Sequence, residues 1–485
     1  MVEGLLILSL LIWLPVLFYG IARQGFALIL IWLLVAPVVV RIVENPGTKP
    51  FFNTEFKKQE VKVQPGQKIG GYLSEGETTV KLKDLLEPTR ILFGIFFVVF
   101  LGDAVLRRRR LGPFDATEKF AFIFSLILIA SALLQSKRTA YSLRVACDAF
   151  VIPFVAYFCA RRLITSENQL RQLVRVIGYL GVYLIGIGLV ERLTLSGFSR
   201  VVGPFEGRDQ LYIVMAVVFF VVLVDSIRNG RSPDERRALP PFVQKFVLCF
   251  SPLIILFGWG RGNLVGLLSG IWIFVFLARR LLDSRRIMTM AGLVLLLAPI
   301  IAVGSYGLTP EEVVDARVIR SSTIYARFGA WQNIIDETAK SPVLGIGLNN
   351  LRDVLDQTRT SFLGVKSETH PHNSYMSMLA ELGLFGFFVF LGIVVSIFRT
   401  GLNLYRTGSN LPDRWRGIAV IAIITAYLVS ALFTNALYLT TVSHVYVYVL
   451  VGGIAGLYAK RRSVSAFAAT TINRRWIAVN SPAGA

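Results

Sequence analysis

The chain has 485 residues, 54% of them hydrophobic, and a mean hydropathy of +0.62. Apolar runs of about 18 or more residues recur along most of it, each long enough to cross a bilayer, so the composition excludes a soluble enzyme and indicates a polytopic membrane protein. The formal net charge is +21, but most of the excess lies in short loops between the runs, where membrane orientation and anionic headgroups explain it better than a nucleic-acid partner.

The apolar runs predict about thirteen membrane spans. These are helical, because backbone groups in lipid must hydrogen-bond within their own segment. If the first run is re-entrant or peripheral, the count falls to twelve. The predicted fold is therefore an all-α, polytopic membrane helical bundle. The spans lie near residues 4–22, 25–43, 90–106, 118–135, 142–160, 172–191, 210–227, 242–258, 262–278, 287–304, 374–398, 417–436 and 440–459.

The spans divide the chain into four parts. Residues 1–304 hold the N-terminal transmembrane helices, with an extracytoplasmic loop at 44–89 that fits either short strands or disorder. Residues 305–373 form a large extracytoplasmic loop, and 374–462 hold the C-terminal transmembrane helices. The last part, 463–485, is a small and polar cytoplasmic tail for which we expect disorder.

Six clusters of basic residues fall on one side of the membrane if the predicted spans alternate. Because cytoplasmic loops are enriched in lysine and arginine, that side is the cytoplasm. This orientation places the carboxyl terminus inside and both long loops outside. The clusters are Arg107 to Arg110; Arg161, Arg162, Arg171 and Arg175; Arg228, Arg231, Arg236 and Arg237; Arg279, Arg280, Arg285 and Arg286; Arg399, Arg406, Arg414 and Arg416; and Lys460, Arg461 and Arg462.

The outer loop 305–373 has the pattern of a small helical cap on the outer membrane face. Thr309 to Glu312 resemble a helix start, with a cap residue, a proline and two acids. A second helix is predicted from Ser321 or Ser322 to about Ala339, with one apolar stripe. The stripe consists of Tyr325, Phe328, Trp331 and Ile335, and it is followed by a turn at Gly345-Ile346-Gly347 and a short helix through Leu351 and Leu355.

Two of the three histidines, His370 and His372, lie where the outer loop enters a membrane span. A neutral imidazole accepts a proton near physiological pH, so His372 is a candidate general base. Two alternatives stay open: His372 hydrogen-bonds the loop, or the pair binds zinc together with His444. No carboxylate or cysteine lies at ligand spacing beside the pair, which disfavours a metal. Asn373 or the serine after it is expected to cap the following helix.

Arginines also gather on the outer side, against the orientation bias. Arg261 stands among glycines at the outer end of a span, where its planar guanidinium suits two oxygens of a diphosphate. Arg327 lies on the cap helix with Arg320 close by, and Arg208 belongs to the outer loop 192–209. The alternatives are a snorkelling or ion-paired Arg261 and a solvated helix face around Arg327.

Three residues of the span after His372 are assigned structural roles. Gly383 and Gly386 lie one turn apart and are predicted to allow close approach of another helix. Glu381 lies about two turns from the start of the span, where an acid is costly. We expect it to orient a neighbouring tyrosine or arginine.

The spacing of these residues resembles the signature of the O-antigen ligase and polymerase superfamily of bacterial membrane glycosyltransferases. His372-Asn373 is followed, after nine residues, by Gly383-Leu384-Phe385-Gly386. A large external loop also precedes the third-last span. The resemblance covers about residues 200–400 at the level of motifs. The other matching segments are Trp259-Gly260-Arg261-Gly262, Arg327-Phe328-Gly329-Ala330-Trp331 and Ser341-Pro342-Val343-Leu344-Gly345-Ile346-Gly347.

The resemblance implies a GT-C-like helical fold in the bacterial inner (plasma) membrane, with an active site that faces the periplasm. It implies a polyprenyl-diphosphate-linked glycan donor, a glycan or lipid A-core acceptor, and transfer without metal or other cofactor, in lipopolysaccharide or exopolysaccharide biosynthesis. Carried over by motif, His372 is the base, and Arg261 and Arg327 bind the diphosphate. The further residues assigned to substrate binding are Arg208, Arg320, His370, Asn373 and Tyr375.

The sequence leaves the acceptor open, so a ligase, a polymerase and a protein oligosaccharyltransferase all fit. It has no P-loop and no glycine-rich nucleotide motif, so the activated group comes with the substrate. The alternative from another class is a transporter or flippase of lipid-linked oligosaccharide, which also needs arginines that face a cavity. Such a protein does not require a histidine at the mouth, and transporters often have paired internal repeats, which this sequence lacks.

Overall fold

The computed structural model describes residues 25–44, 88–106, 111–194, 201, 203–205, 208–227, 237–258, 261–282, 310–357, 361–362, 365–366, 371–408, 410–438 and 443–480. Within them the predicted all-α bundle is confirmed, with one two-stranded antiparallel hairpin in the outer loop. The helices are α1 (Gly25–Glu44), α2 (Pro88–Leu106), α3 (Ala116–Leu134), α4 (Thr139–Leu163, π-helical at Cys147–Val151), α5 (Glu167–Thr194), α6 (Arg208–Ile227), α7 (Pro241–Phe257), α8 (Arg261–Ala278), α9 (Pro310–Lys340), α10 (Leu351–Gln357), α11 (Ser374–Thr407), α12 (Leu411–Ala431) and α13 (Ser443–Asn480); the strands are β1 (Ser361–Phe362) and β2 (Val365–Lys366).

Six of the described helices, α3, α4, α5, α6, α11 and α12, are long and apolar enough to cross a membrane. Four more, α1, α2, α7 and α8, contain shorter apolar segments of 10–17 residues. Together with the apolar start of α13, these helices coincide with predicted spans, and the chain is a multi-pass membrane protein. The predicted spans at 4–22 and 287–304, and most of the predicted loop 44–89, lie outside the described residues.

Small residues bring α8 directly against α12. A Cβ at Gly266 would lie 2.5 Å from the carbonyl oxygen of Ala426, and one at Gly270 would lie 2.9 Å from that of Ala422. Glycine at this spacing lets two helix backbones touch, which is a common way to pack helices in lipid. The contact fixes the start of α8 beside the end of α12, and the candidate site lies there.

Ion pairs join several basic segments at the opposite end of the bundle. Arg416, near the start of α12, pairs with Asp413 at 2.8 Å and with Glu167 at the start of α5. Arg461, in α13, pairs with the same two carboxylates at 2.7 and 3.0 Å. The starts of α5 and α12 and the basic part of α13 therefore lie at one end, as the alternation of spans predicts.

The outer loop forms a cap around α9, which is one helix of 31 residues where the sequence predicts two. No proline or glycine lies between Pro310 and Ser321, so nothing ends the first predicted helix. The face of α9 that packs on the bundle is also one residue out of phase with the predicted stripe. Ala326, Ala330 and Ile334 are buried, whereas Tyr325, Phe328 and Ile335 are 36–56% exposed. Ile334 packs with Leu351, Leu355 and Ala380, which joins α9 and α10 to α11.

The carboxyl-terminal tail differs from its prediction as well. Helix α13 continues to Asn480, so the disorder expected for 463–485 is wrong up to that residue. The first glycine or proline after Gly456 is Pro482, and the alanine-rich sequence before it favours helix.

Candidate active site

Helix α11 is kinked at Gly383, whose φ of 65° lies in the left-handed region. Two carbonyl and two N–H groups leave the helical pattern at the kink, and the turn 342–347 takes up all four. A kink in a buried helix persists when the groups it releases find other partners. The four bonds run from the N–H of Ile346 to the carbonyl of Ala380 (2.8 Å), Gly347 to Glu381 (3.0 Å), Leu384 to Pro342 (2.8 Å) and Phe385 to Val343 (3.2 Å).

This pairing corrects the predicted role of the two glycines. No neighbouring helix makes the nearest approach to Gly383 or Gly386. A Cβ at Gly383 would lie 2.2 Å from the carbonyl oxygen of Val343 in the turn, and one at Gly386 would lie 2.5 Å from Leu382 of its own helix. The left-handed backbone at Gly383 exposes the main chain to the turn, which pattern alone does not predict.

Glu381, two residues before the kink, has a tyrosine neighbour. The side chain is 5% exposed, and the N–H groups of Asn349 and Leu351 and the hydroxyl of Tyr438 surround its carboxylate. Burial and the nearby Glu381 carboxylate raise the pKa of Tyr438 well above its usual value. Its hydroxyl therefore stays protonated and available as a donor.

The turn after 342–347 is also tied to the connection between α3 and α4. Its backbone and one asparagine side chain exchange four hydrogen bonds with that connection and the adjoining turns of α3 and α4, so the cap is fastened to two parts of the bundle. The bonds are Leu348 N–H to Ser131 Oγ (2.9 Å), Ser142 Oγ to Leu348 carbonyl (3.0 Å), Lys137 N–H to Asn350 Oδ1 (3.0 Å) and Asn350 Nδ2 to Gln135 carbonyl (2.9 Å).

The segment before α11 holds His372 between the cap and the bundle. The indole N–H of Trp331, in α9, donates to the carbonyl of Pro371 at 2.8 Å. His372 has a φ of 48°, in a region that residues other than glycine rarely adopt. Asn373 then caps α11, with its side chain accepting two N–H bonds of the first turn at 3.0 and 3.2 Å. Fixed contacts on both sides therefore set the direction in which the imidazole leaves the backbone.

Ser374 fastens the start of α11 to the turn after α12. Its N–H and its hydroxyl both donate to the carbonyl of Thr434, at 3.2 and 2.9 Å. Its Oγ also accepts the N–H of Leu437 at 3.1 Å. Ser374 is fully buried, so these bonds form away from water and hold residues 372–374 firmly against the bundle.

Asn263 extends this connection to two more helices. Its Nδ2 donates to Asp209 Oδ1 at 2.8 Å, and its Oδ1 accepts the hydroxyl of Ser430 at 2.6 Å. Asp209 is the second residue of α6, and Ser430 lies in the last turn of α12. The Thr434 hydroxyl in turn donates to the carbonyl of Ser430 at 3.0 Å. A continuous chain of hydrogen bonds therefore links α6, α8, α12 and Ser374 of α11, and we call these bonds the Asn263 network.

Two predicted arginines lie next to the Asn263 network in the chain. Arg208 precedes Asp209 at the start of α6, and Arg261 is the first residue of α8, two residues before Asn263. The side chains of both arginines lie outside the description. The backbones of both residues nevertheless lie at the same end of the bundle as His372.

The cap supplies the third arginine. Arg327 is half-buried on α9, four residues before Trp331, which corresponds to one helical turn or about 6 Å. Because Trp331 contacts Pro371, the helical turn that carries Arg327 adjoins the turn that contacts the histidine segment. Arg320 lies on the same helix, and its side chain is outside the description.

The remaining predicted site residues have other surroundings. The hydroxyl of Tyr375 donates to the carbonyl of Leu428 at 2.8 Å, so it holds α11 against α12. His444 is fully buried, with Nδ1 2.7 Å from the hydroxyl of Tyr427. His370 lies outside the described residues. Among those that the structure describes, no three histidine, cysteine, aspartate or glutamate side chains gather into a metal-binding group.

Several residues of the site were not identified from sequence. Asn263, Asp209, Ser430 and Thr434 position the helix ends, and Trp331 joins the cap to the histidine segment. The available signal was the presence of polar side chains inside or beside apolar runs, which in lipid usually have a partner or a function. Their partners are distant in sequence and could not be named.

Residues 246–391 match a protein-family model described as O-Antigen ligase. This part of the chain is therefore similar to the O-antigen ligase family. The matched stretch runs from α7 through the cap into α11 and contains Arg261, Arg327 and His372. Among curated proteins, no match is found. The match supports a family-level glycosyltransferase role in polysaccharide biosynthesis, with lipid-linked glycan donors and glycan acceptors in general.

The O-antigen ligase region accounts for only part of the site. The family match ends at residue 391, within α11. Asp209 of α6 and Ser430 of α12 lie outside it, and both bond to Asn263 inside it. The flanking helices therefore position the region that carries the family signature.

Proposed function

We propose that this protein transfers or polymerises a glycan from a polyprenyl-diphosphate-linked donor onto an acceptor hydroxyl, without a metal, on the outer face of the bacterial inner membrane. The observation that carries the proposal is the Asn263 network, because it joins the starts of α6, α8 and α11 at one end of the bundle. The contact of Trp331 with Pro371 adds the cap helix and Arg327 to the same end.

The proposed reaction assigns one role to each group. His372 removes the proton of the acceptor hydroxyl, and the acceptor oxygen forms a bond to the anomeric carbon of the donor glycan. The bond from that carbon to the diphosphate breaks, and the diphosphate leaves with the electron pair. Arg261 and Arg327 bind the diphosphate oxygens, where the forked guanidinium compensates the charge that develops on the leaving group.

The position of His372 suits a base of this kind. Its backbone is held by Pro371 on one side and by the cap of α11 on the other, so little reorganisation is needed when a substrate arrives. The acceptor is a lipid A-core or another glycan. The ligase and polymerase activities share this chemistry and differ only in the acceptor.

The experiment is donor binding and transfer by purified protein with a lipid-diphosphate donor. We expect Arg261→Gln and Arg327→Gln each to weaken donor binding at least tenfold, since a hydrogen bond to a charged group contributes about 1.5–3 kcal/mol. Arg279→Gln is the matched control, because Arg279 follows the other end of α8 and stacks on Phe276. We expect a chelator to leave transfer intact. Unchanged donor binding in both variants, or transfer abolished by EDTA and restored by zinc, would contradict the proposal.

A further inference from the structure

A cavity of about 420 Å³ lies at the end of the bundle that carries the basic segments, away from the candidate active site. Helix α2, the end of α4 and the middle of α13 form its walls, together with the segment before α3. Phe100 and Ala104 line it on one side, and Thr165, Lys460 and Ser463 on another. An apolar wall beside a group of hydroxyls and a lysine is typical of a site for an amphiphile with an anionic head.

Two arginines shape the cavity, but their charges are already compensated. Arg161 pairs with Asp115 at 3.0 Å and with Glu118 at 2.8 Å, and Arg162 pairs with Glu118 as well. Arg162 also donates to the carbonyl of Leu111 at 2.7 Å, which holds that wall in place. These two cations and two carboxylates balance each other and act as a frame.

Lys460 also lines the cavity, and it takes no part in these ion pairs. It is exposed at the rim, and in the part of the chain that the structure describes no carboxylate lies within ion-pair distance of it. Because the two arginines and two carboxylates of the frame cancel, Lys460 gives the described surroundings of the cavity a net positive charge, which favours an anion.

The apolar side of the cavity lies beside the lipid-facing surface of α2. Val98 and Val105, on the same helix as Phe100 and Ala104, are 67% and 75% exposed, as expected for side chains that contact acyl chains. A ligand in this cavity can keep its phosphate near Lys460 and its hydrocarbon along α2. A soluble phosphate has no hydrocarbon that could contact this apolar wall.

We propose that this cavity is a binding site for the phosphate head of an anionic phospholipid, which joins α2, α4 and α13 at the basic end of the bundle. The lipid fastens α13 to α4, where Gly456 already allows backbone contact with Arg161. Basic pockets between helices at this level of a membrane bind anionic headgroups through such mixed surfaces. The inference does not depend on the proposed glycosyltransferase chemistry, because it concerns the other end of the protein.

The test measures the thermal stability of the full-length protein in detergent while phosphatidylglycerol or phosphatidylcholine is added. We expect phosphatidylglycerol to raise the Tm of the wild type more than phosphatidylcholine does. Lys460→Gln should weaken the apparent affinity for phosphatidylglycerol about fivefold, since each lysine near an anionic surface contributes about 1 kcal/mol. Each variant is compared with its own Tm in phosphatidylcholine, so a general loss of stability does not mimic the result.

Lys340→Gln is the matched control, since Lys340 is an exposed lysine on the cap at the other end, paired with Glu337. It should respond to phosphatidylglycerol as the wild type does. Equal responses of Lys460→Gln and the wild type would overturn the proposed site. If inorganic phosphate alone produced the same stabilisation, the site would bind soluble anions, and the lipid assignment would be wrong.

Discussion

Asn263 is a buried amide in an otherwise apolar helix, and both ends of the amide are in use. It is 2% exposed, with its donor on Asp209 and its acceptor on Ser430. An unpaired polar group at this depth would be costly, so the side chain is stable there only because both partners are present. Burial of Asn263 therefore requires that α6, α8 and α12 meet at this point.

Asn263→Ala is expected to lower the stability of the protein by about 1–3 kcal/mol, because a buried hydroxyl loses its acceptor. It should also lower glycan transfer, because Arg261 begins the same helix turn. Ser430→Ala removes the same bond from the other side. The double variant should therefore cost less than the sum of the single variants, in both Tm and transfer rate.

The control for this cycle is Ser269→Ala, since Ser269 lies on α8 but its exposed hydroxyl bonds only to the carbonyl of Val265 in its own helix. That variant should change neither quantity appreciably. Strict additivity of Asn263→Ala and Ser430→Ala would show that the bond between them does not couple α8 to α12.

The Tyr438 hydroxyl lies beside the buried Glu381 carboxylate. The sequence predicts that Glu381 orients a tyrosine or arginine, but Tyr438 lies 57 positions further along the chain. Hydropathy cannot choose among the tyrosines of neighbouring spans. The choice depends on how α11 meets the turn after α12, which only tertiary structure shows.

At the scale of elements, the kink in α11 is the least expected feature. The hydropathy of α11 predicts a single span, and its sequence contains no proline that would indicate a kink. The break is stable because the turn 342–347 replaces the lost helical bonds one for one. The kink and the turn therefore form one structural unit, and each requires the other.

Gly383→Ala tests this unit. The new Cβ would lie 2.2 Å from the Val343 carbonyl oxygen, on a residue whose φ of +65° already disfavours any side chain. We expect a loss of stability of about 3 kcal/mol or more, since strain and a backbone clash add. Gly186→Ala is the control, because a Cβ at Gly186 meets nothing within 4 Å; alanine there should be neutral or mildly stabilising. A Tm for Gly383→Ala equal to that of Gly186→Ala would contradict the account of the kink.

The sequence predicted the helical elements well where apolar length decides them. The bounds of α3 and α6, for example, fall within two residues of the predicted spans. It failed in the cap, where α9 is continuous and exposes Phe328 and Ile335. A stripe of apolar residues predicts the face that avoids water, and next to a membrane that face can contact lipid as well as protein.

At the scale of the whole molecule, the candidate site is assembled from segments far apart in the sequence. The starts of α6, α8 and α11 are brought together by polar side chains, while the cap reaches the same place through Trp331. The family match covers 246–391, so motifs could indicate Arg261, Arg327 and His372. They could not indicate Asp209, Ser430 or Thr434, whose roles depend on how the flanking helices pack.

The two ends of the molecule have different electrostatics. Arg416, Arg461 and their carboxylate partners tie the basic end together. At the other end, the side-chain hydrogen bonds of the Asn263 network hold the helix ends together. The two ends of the described bundle are therefore fastened by different kinds of contact.

The most direct test of the central claim is turnover by purified His372→Gln and His372→Ala in vitro, with donor binding measured on the same samples. A general base contributes about 10²–10⁴-fold to a rate, so we predict that transfer falls by at least a hundredfold in both variants while the affinity for the lipid-diphosphate donor changes little. If either variant transfers glycan at the wild-type rate, His372 is not the base, and the proposed chemistry at this end of the bundle is wrong.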